Sequence, residues 1–116
     1  MIFIGIAIPA FILAILFGIL LLTYVEQGVK TPRLLTHTHG ACAIIGLISV
    51  ILAAFQFPLL WGSAIIFMLA ASGGLYLITH DLRGKKVPKK IANYHALLAG
   101  LGFVVLILSL FAALHK

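Results

Sequence analysis

Charged side chains are scarce in this chain. Only 9% of its 116 residues are charged, 64% are hydrophobic, and aspartate and glutamate together number two. Soluble globular domains have about 25% charged and about 45–50% apolar residues. The composition therefore excludes an ordinary soluble domain and predicts a single transmembrane domain over residues 1–116.

Cysteine and the usual catalytic motifs are nearly absent as well. Cys42 is the single cysteine, so no internal disulfide can form, and no C-x-x-C-H sequence is present for covalent attachment of a c-type haem. The sequence contains no Ser-His-Asp set, no paired carboxylates and no phosphate-binding glycine loop. These absences give no support to hydrolytic or transferase chemistry, and they leave a redox component or a binding protein.

Long apolar runs are what the chain has in abundance. Four of them lie at about residues 2–25, 34–55, 59–79 and 91–114. Each approaches or exceeds the ~20 residues that cross ~30 Å of hydrocarbon. The N-terminus lacks a basic region and a small-x-small cleavage site, so we expect the first run to be a retained span. Because the connections are short, we predict an all-α, four-helix transmembrane bundle built from two tandem helical hairpins.

The basic residues predict the orientation. Seven of the eight lie in the first and third connections: Lys30, Arg33, Arg83, Lys85, Lys86, Lys89 and Lys90. By the positive-inside rule we expect a multi-pass protein of the inner (plasma) membrane, with the basic loops cytoplasmic and both termini outside. The net charge of +6 therefore reflects topology and contact with membrane lipid, and no nucleic-acid partner is expected.

A motif of basic residues, proline, histidine and glycine occurs twice, 56 residues apart. Its two copies are Lys30, Pro32, Arg33, His39 and Gly46, and Lys86, Pro88, Lys89, His95 and Gly102. The same offset also pairs Phe11 with Phe67, Ala14 with Ala70, Gly18 with Gly74 and Ala43 with Ala99. An internal repeat of this kind predicts a duplicated hairpin with a pseudo-two-fold axis along the membrane normal.

The paired histidines are the strongest site candidates. His39 and His95 lie about five residues into the second and fourth helices, roughly 8 Å inside the membrane boundary. Ionisable residues in membrane helices are rare and usually face the bundle interior. We therefore predict that both imidazoles bind one metal, either haem iron or another transition metal. A backbone carbonyl one turn back is the expected acceptor for each ring, with Thr36 as an alternative beside His39.

Small residues accompany each histidine on the same helix face: Ala43 and Gly46, and Ala99 and Gly102. We predict that they border the edge of a porphyrin whose iron is held by two axial imidazoles, with close helix packing as the alternative. Arg33 and Lys89, at the helix starts, are expected to pair with the haem propionates. His37 and His80 are interpreted as interfacial polar residues and His115 as a solvated tail residue.

The run His39-Gly40-Ala41-Cys42-Ala43-Ile44-Ile45-Gly46-Leu47, and His95-Ala96-Leu97-Leu98 with its upstream lysines, resemble the cytochrome b561-like superfamily of small helical membrane cytochromes. Members of that family usually place histidines on four successive helices and hold two haems. Here the first and third helices have no mid-membrane histidine, so the resemblance implies one haem b held by His39 and His95. A single haem cannot relay electrons across ~30 Å of bilayer, so electron transfer with a quinone or a partner protein is expected instead.

Two other functions stay open from the sequence. His37, His39, His80 and His95 could assemble an imidazole-rich site for binding or transport of zinc, copper or nickel. Alternatively, the chain is a non-catalytic membrane subunit or assembly factor, in which the small residues are packing surfaces. A homo-oligomer is compatible with each of these functions.

Overall fold

Four long helices make up almost the whole chain. The computed structural model describes residues 1–115. The helices are α1 (Ile2–Glu26), α2 (Arg33–Gln56), α3 (Trp61–Leu82) and α4 (Lys89–Leu114), with a 3₁₀ turn at Pro58–Leu60. All four are long and apolar enough to cross a membrane. The chain is a multi-pass membrane protein, and the predicted all-α transmembrane bundle of two helical hairpins is confirmed.

The helix ends differ from the predicted bounds mainly in the second hairpin. α3 begins at Trp61, after the 3₁₀ turn, and continues to Leu82, whereas the apolar run ends at residue 79. α4 begins at Lys89, two residues before the apolar run starts. Polar residues mark the point where a helix leaves the hydrocarbon, but the backbone can keep its helical hydrogen bonds beyond that point.

The four helices stand at the corners of a square. α1 packs along α2 and α3 along α4, while α1 also contacts α4 and α2 contacts α3. Within residues 1–115, the backbones of α1 and α3, and those of α2 and α4, do not come within 8 Å of each other. These two pairs therefore lie on the diagonals, and side chains that meet across a diagonal meet on the bundle axis.

Both hairpin turns are built in the same way. α1 and α3 are each followed by a glycine with a φ of +69°, Gly28 and Gly84. In both turns the amides of the glycine and of the next residue donate to carbonyls three and five residues back, which is a Schellman motif. Pro32 and Pro88, in extended conformation, then precede α2 and α4. The two turns form one end of the bundle, called the basic end here; the end that carries the 3₁₀ turn is called the far end.

The hydrophobic core lies towards the far end. Its buried members include Val50, Leu60 and Leu106, together with Phe11 and Phe67 nearer the middle of the bundle. At the basic end the hairpins are joined by polar bonds instead. The Thr31 hydroxyl donates to Asp81 over 3.1 Å, and the Asn93 amide donates to Glu26 over 2.7 Å. Glu26 and Asp81, the two acidic residues of the chain, thus each connect one hairpin to the other.

Candidate functional site

His39 and His95 meet on the bundle axis. They come from α2 and α4, which lie on one diagonal, and their ring centroids are 6.1 Å apart with an angle of 84° between the ring planes. Both side chains are half-buried. The repeat therefore brings the two imidazoles together in the interior.

Each imidazole is oriented by a backbone carbonyl of the preceding helix. The Nδ1 atom of His39 lies 2.7 Å from the carbonyl oxygen of Ala14, and that of His95 lies 2.7 Å from the oxygen of Ala70. The expectation of an acceptor one turn back in the same helix was wrong. Thr36 is not the acceptor for His39 either, because its hydroxyl donates to the carbonyl oxygen of Pro32. Each ring reaches across to the helix that precedes it in its own hairpin.

A missing side chain gives each ring access to its acceptor. Gly18 follows Ala14 by four residues, and Gly74 follows Ala70 by four, so each glycine lies next to the carbonyl that the histidine uses. A Cβ atom at either glycine would lie 3.0 Å from the Cε1 atom of the histidine ring. Each imidazole therefore packs directly against the backbone of its glycine.

The hydrogen bonds fix the tautomer of both rings. A carbonyl oxygen can only accept, so Nδ1 must carry the proton in each histidine. The Nε2 atom of a neutral ring then keeps its lone pair, which is the form of imidazole that binds metals. Because the contacts of His39 and His95 are the same, the interior holds two equivalent lone-pair donors from opposite helices.

A pair of phenylalanine rings meets on the other diagonal. Phe11 of α1 and Phe67 of α3 stack with centroids 3.8 Å apart and planes 8° apart. Gly46 and Gly102 accommodate these rings, since a Cβ at Gly46 would lie 2.8 Å from Phe11 and one at Gly102 would lie 3.1 Å from Phe67. These contacts account for both glycines without a porphyrin edge. The stack lies about 10 Å from the histidine level along the helices, towards the far end.

The remaining predicted site residues are less enclosed. Ala43 and Ala99 are half-buried, whereas Arg33 and Lys89, the first residues of α2 and α4, are exposed. His37 is exposed too. His80 and His115 each place Nδ1 against a carbonyl of their own helix, at 3.1 Å from Tyr76 and 2.8 Å from Phe111. The structure gives none of these residues a contact that directs it to the histidine pair.

The described residues contain no group of three or more His, Cys, Asp or Glu that could hold a metal ion. The four-histidine site considered from the sequence is therefore not formed. What the fold brings together is a pair of imidazoles, one from each hairpin.

Few residues between the histidine pair and the basic end are fully buried. Among residues 1–115, the buried ones beyond the histidine level in that direction are Thr31 and Ala92. All of the largest fully buried side chains lie on the other side of the phenylalanine stack. Large apolar side chains on this side, such as Leu21, Leu35 and Leu77, are half-buried.

Sequence reasoning missed the residues that support the histidines. These are Ala14 and Ala70, and Gly18 and Gly74. Their 56-residue pairing was visible and marked them as equivalent, but nothing in the pattern tied them to the histidines. The chain matches no protein-family model, no curated protein and no solved structure.

Proposed function

We propose that the chain is a membrane b-type haem protein that binds haem b between its two hairpins, with His39 and His95 as the axial ligands. One observation carries the proposal: two symmetry-related imidazoles meet on the axis, and each has Nδ1 bonded to a carbonyl 2.7 Å away. This leaves Nε2 of both rings free to bind a metal.

The spacing of the rings suits a shared metal. Metal–imidazole bonds are about 2 Å long and a ring nitrogen lies about 1 Å from the ring centre, so imidazoles on opposite sides of one metal have centres about 6 Å apart. The two rings have their centres 6.1 Å apart. Each ring is held in this position by its contact with a glycine, Gly18 or Gly74, and this supports a fixed two-ligand site.

The number of ligands favours haem over a bare metal ion. Zinc sites use three or four protein ligands, and the described residues offer no group of three or more suitable side chains. A haem iron, in contrast, is already held by its macrocycle and needs only axial ligands from the protein. Two imidazoles from opposite helices complete such a site.

Electron transfer is the chemistry that this ligand set supports. Haem bound between two histidines supplies reversible one-electron oxidation and reduction, with no open iron position for oxygen. The residues of the chain orient the two rings, and the Phe11–Phe67 stack separates this level from the far end. A quinone or a partner protein is the proposed electron partner, since one centre does not span the bilayer.

The proposed location is the inner (plasma) membrane with the basic end in the cytoplasm. The basic loops both lie at one end of the bundle, and the 3₁₀ turn at the other end carries no lysine or arginine. Positive loops are retained on the cytoplasmic side. The histidine pair then lies nearer the cytoplasmic face.

The test is an absorption spectrum of the protein purified in detergent from cells that make haem. We expect a sharp reduced-minus-oxidised band of bis-histidine haem. His39→Ala and His95→Ala should each abolish the band or change the ligation type, because a single axial imidazole remains. His37→Ala is the matched control, since that residue is exposed and near His39 in sequence, and its spectrum should equal that of the wild type.

Metal analysis of the same preparation separates the alternatives. Iron in a one-to-one ratio with the chain and with extractable haem supports the proposal. Zinc, copper or nickel without haem would favour a metal-binding protein. A colourless, metal-free preparation from haem-replete cells would favour a structural subunit and would contradict the proposal, as would an unchanged band in both His39→Ala and His95→Ala.

A further inference from the structure

A cavity of about 320 Å³ lies between the two hairpin turns at the basic end. The residues that line it form pairs of positions 56 residues apart, with one member of each pair in each hairpin. Examples are Gly28 with Gly84 and Lys30 with Lys86. The cavity is therefore centred on the same pseudo-two-fold axis as the histidine pair, one level closer to the basic end.

The lining of this cavity is strongly positive. Lys30, Lys85 and Lys86 border it and Asp81 is the one carboxylate there, which leaves an excess of two positive charges. Asp81 is also engaged, because its Oδ1 atom accepts the hydroxyl of Thr31 across the two turns. Lysines from both hairpins thus face one small space without enough negative charge to balance them.

We propose that this cavity binds a phosphate group, which joins the two hairpins at the basic end. Lysine ammonium groups bind phosphate as point charges, and a volume roughly ten times the ~30 Å³ share of one water molecule admits a phosphate with part of its hydration shell. The cavity lies where α1 and α3 end and where α2 and α4 begin, which is the level of lipid phosphates around a spanning bundle. An anionic lipid headgroup and free phosphate are the two sources of this chemistry.

The bound phosphate stabilises the packing of the two hairpins against each other at the basic end. Without it, the like charges of Lys30 and Lys86 oppose the hydrogen bonds Thr31–Asp81 and Asn93–Glu26, which connect the hairpins at this end. A ligand that binds the folded bundle and not the unfolded chain raises its stability, and the gain grows with the logarithm of ligand concentration above the dissociation constant. This inference does not depend on the presence of haem.

The experiment measures apparent unfolding temperature for the full chain in a neutral detergent. Phosphatidylglycerol, phosphatidylcholine and inorganic phosphate are titrated separately. The test variant is Lys30→Gln/Lys86→Gln, and the control is Arg83→Gln/Lys90→Gln, which removes the same charge from exposed positions that do not line the cavity. Circular dichroism and gel filtration check the fold, and Lys86→Gln against Lys90→Gln replaces the pairs if either double variant fails to fold.

We expect phosphatidylglycerol, and not phosphatidylcholine, to raise the unfolding temperature. The apparent affinity should fall by about thirtyfold in the test variant, because it removes two lysines that line the cavity and each contributes about 1 kcal/mol. It should fall by less than about twofold in the control, whose basic residues do not line the cavity. Stabilisation by phosphatidylglycerol alone identifies a lipid headgroup, and equal stabilisation by inorganic phosphate identifies the free anion. Equal losses in both variants, or no stabilisation by either phosphate source, would overturn the proposal.

Discussion

At the residue scale, the orientation of each histidine ring depends on the hydrogen bonds of its two nitrogens. A buried polar group that lacks a partner costs free energy, and in an apolar bundle few partners are on offer. The carbonyls of Ala14 and Ala70 supply one partner for each ring at 2.7 Å. This contact fixes the orientation of each ring, and it would preorganise the pair for the proposed haem.

Gly18→Ala and Gly74→Ala should each displace a histidine ring. The added Cβ would lie 3.0 Å from the ring Cε1 atom, so the Nδ1–carbonyl bond must lengthen. We expect a loss of about 1–3 kcal/mol in the free energy of unfolding, typical of an overpacked interior, and a smaller fraction of haem-loaded protein. Unfolding in detergent and the ratio of haem absorbance to protein absorbance measure the two effects.

Gly40→Ala and Gly100→Ala are the matched controls for these variants. Both glycines are helical, and an added Cβ meets no atom within 4 Å. Alanine in a helix is favoured over glycine by about 1 kcal/mol, so these variants should be at least as stable as the wild type. Haem loading that falls equally in all four variants would show that Gly18 and Gly74 have no particular role beside the rings.

The phenylalanine stack makes a second residue-scale prediction. Gly46→Ala places a Cβ 2.8 Å from Phe11, a ring already stacked on Phe67 at 3.8 Å. We expect a loss of about 1–3 kcal/mol in stability. Adding Phe11→Leu should recover part of this loss, because residues in direct contact are not additive. A double-mutant cycle measures the coupling, and strictly additive effects would contradict the contact.

At the scale of elements, each hairpin is closed by a short turn whose sequence specifies it. Glycine at positive φ ends the first helix, and proline in extended conformation starts the second. The repeated turns fix how the two helices of each hairpin are aligned along their axes. As a result His39 lies beside Gly18, and His95 lies beside Gly74 at the same depth.

Gly84→Ala tests the turn. Its φ is +69°, a region that costs an L-residue with a Cβ about 1–2 kcal/mol. We expect a loss of that size in unfolding free energy, although an added Cβ there meets no atom within 4 Å. Gly5→Ala, which also adds a Cβ in open space but within a helix, should not lose stability. Equal stability of the two variants would show that the backbone conformation of the turn is unimportant.

At the scale of the whole molecule, the two halves of the bundle are stabilised differently. The far half has an apolar core, and the basic half has few buried side chains and two polar bonds between the hairpins. The half with less packing is the one with the imidazole pair and the lysine-lined cavity. Ligands that bind between the hairpins would therefore add the contacts that this half lacks.

Two variants, each with one glutamine replaced by cysteine, test the orientation of the bundle in the membrane. In a Cys42→Ser background, Gln27→Cys lies at the basic end and Gln56→Cys at the far end, and both positions are exposed. Because basic loops stay in the cytoplasm, a membrane-impermeant maleimide should label position 56 in intact cells and position 27 only after permeabilisation. The reverse pattern would contradict the proposed topology.

The sequence alone determined the architecture. Composition and run length required four spanning helices, because unpaired backbone polar groups are not tolerated in lipid. Short turns made the helices two hairpins, and the repeat marked His39 and His95 as equivalent. These properties depend only on the spacing of residues along the chain, so the amino-acid sequence contains all the information that they need.

Only the tertiary structure decided which surfaces meet. The rings bond to carbonyls of neighbouring helices, Gly18 and Gly74 lie beneath them, and Gly46 and Gly102 pack against phenylalanine rings. In helices that are apolar on every side, periodicity does not show which face turns inward. The rotation of each helix about its own axis is set by packing against the other three, and this is why the contacts of the site could not be derived from spacing.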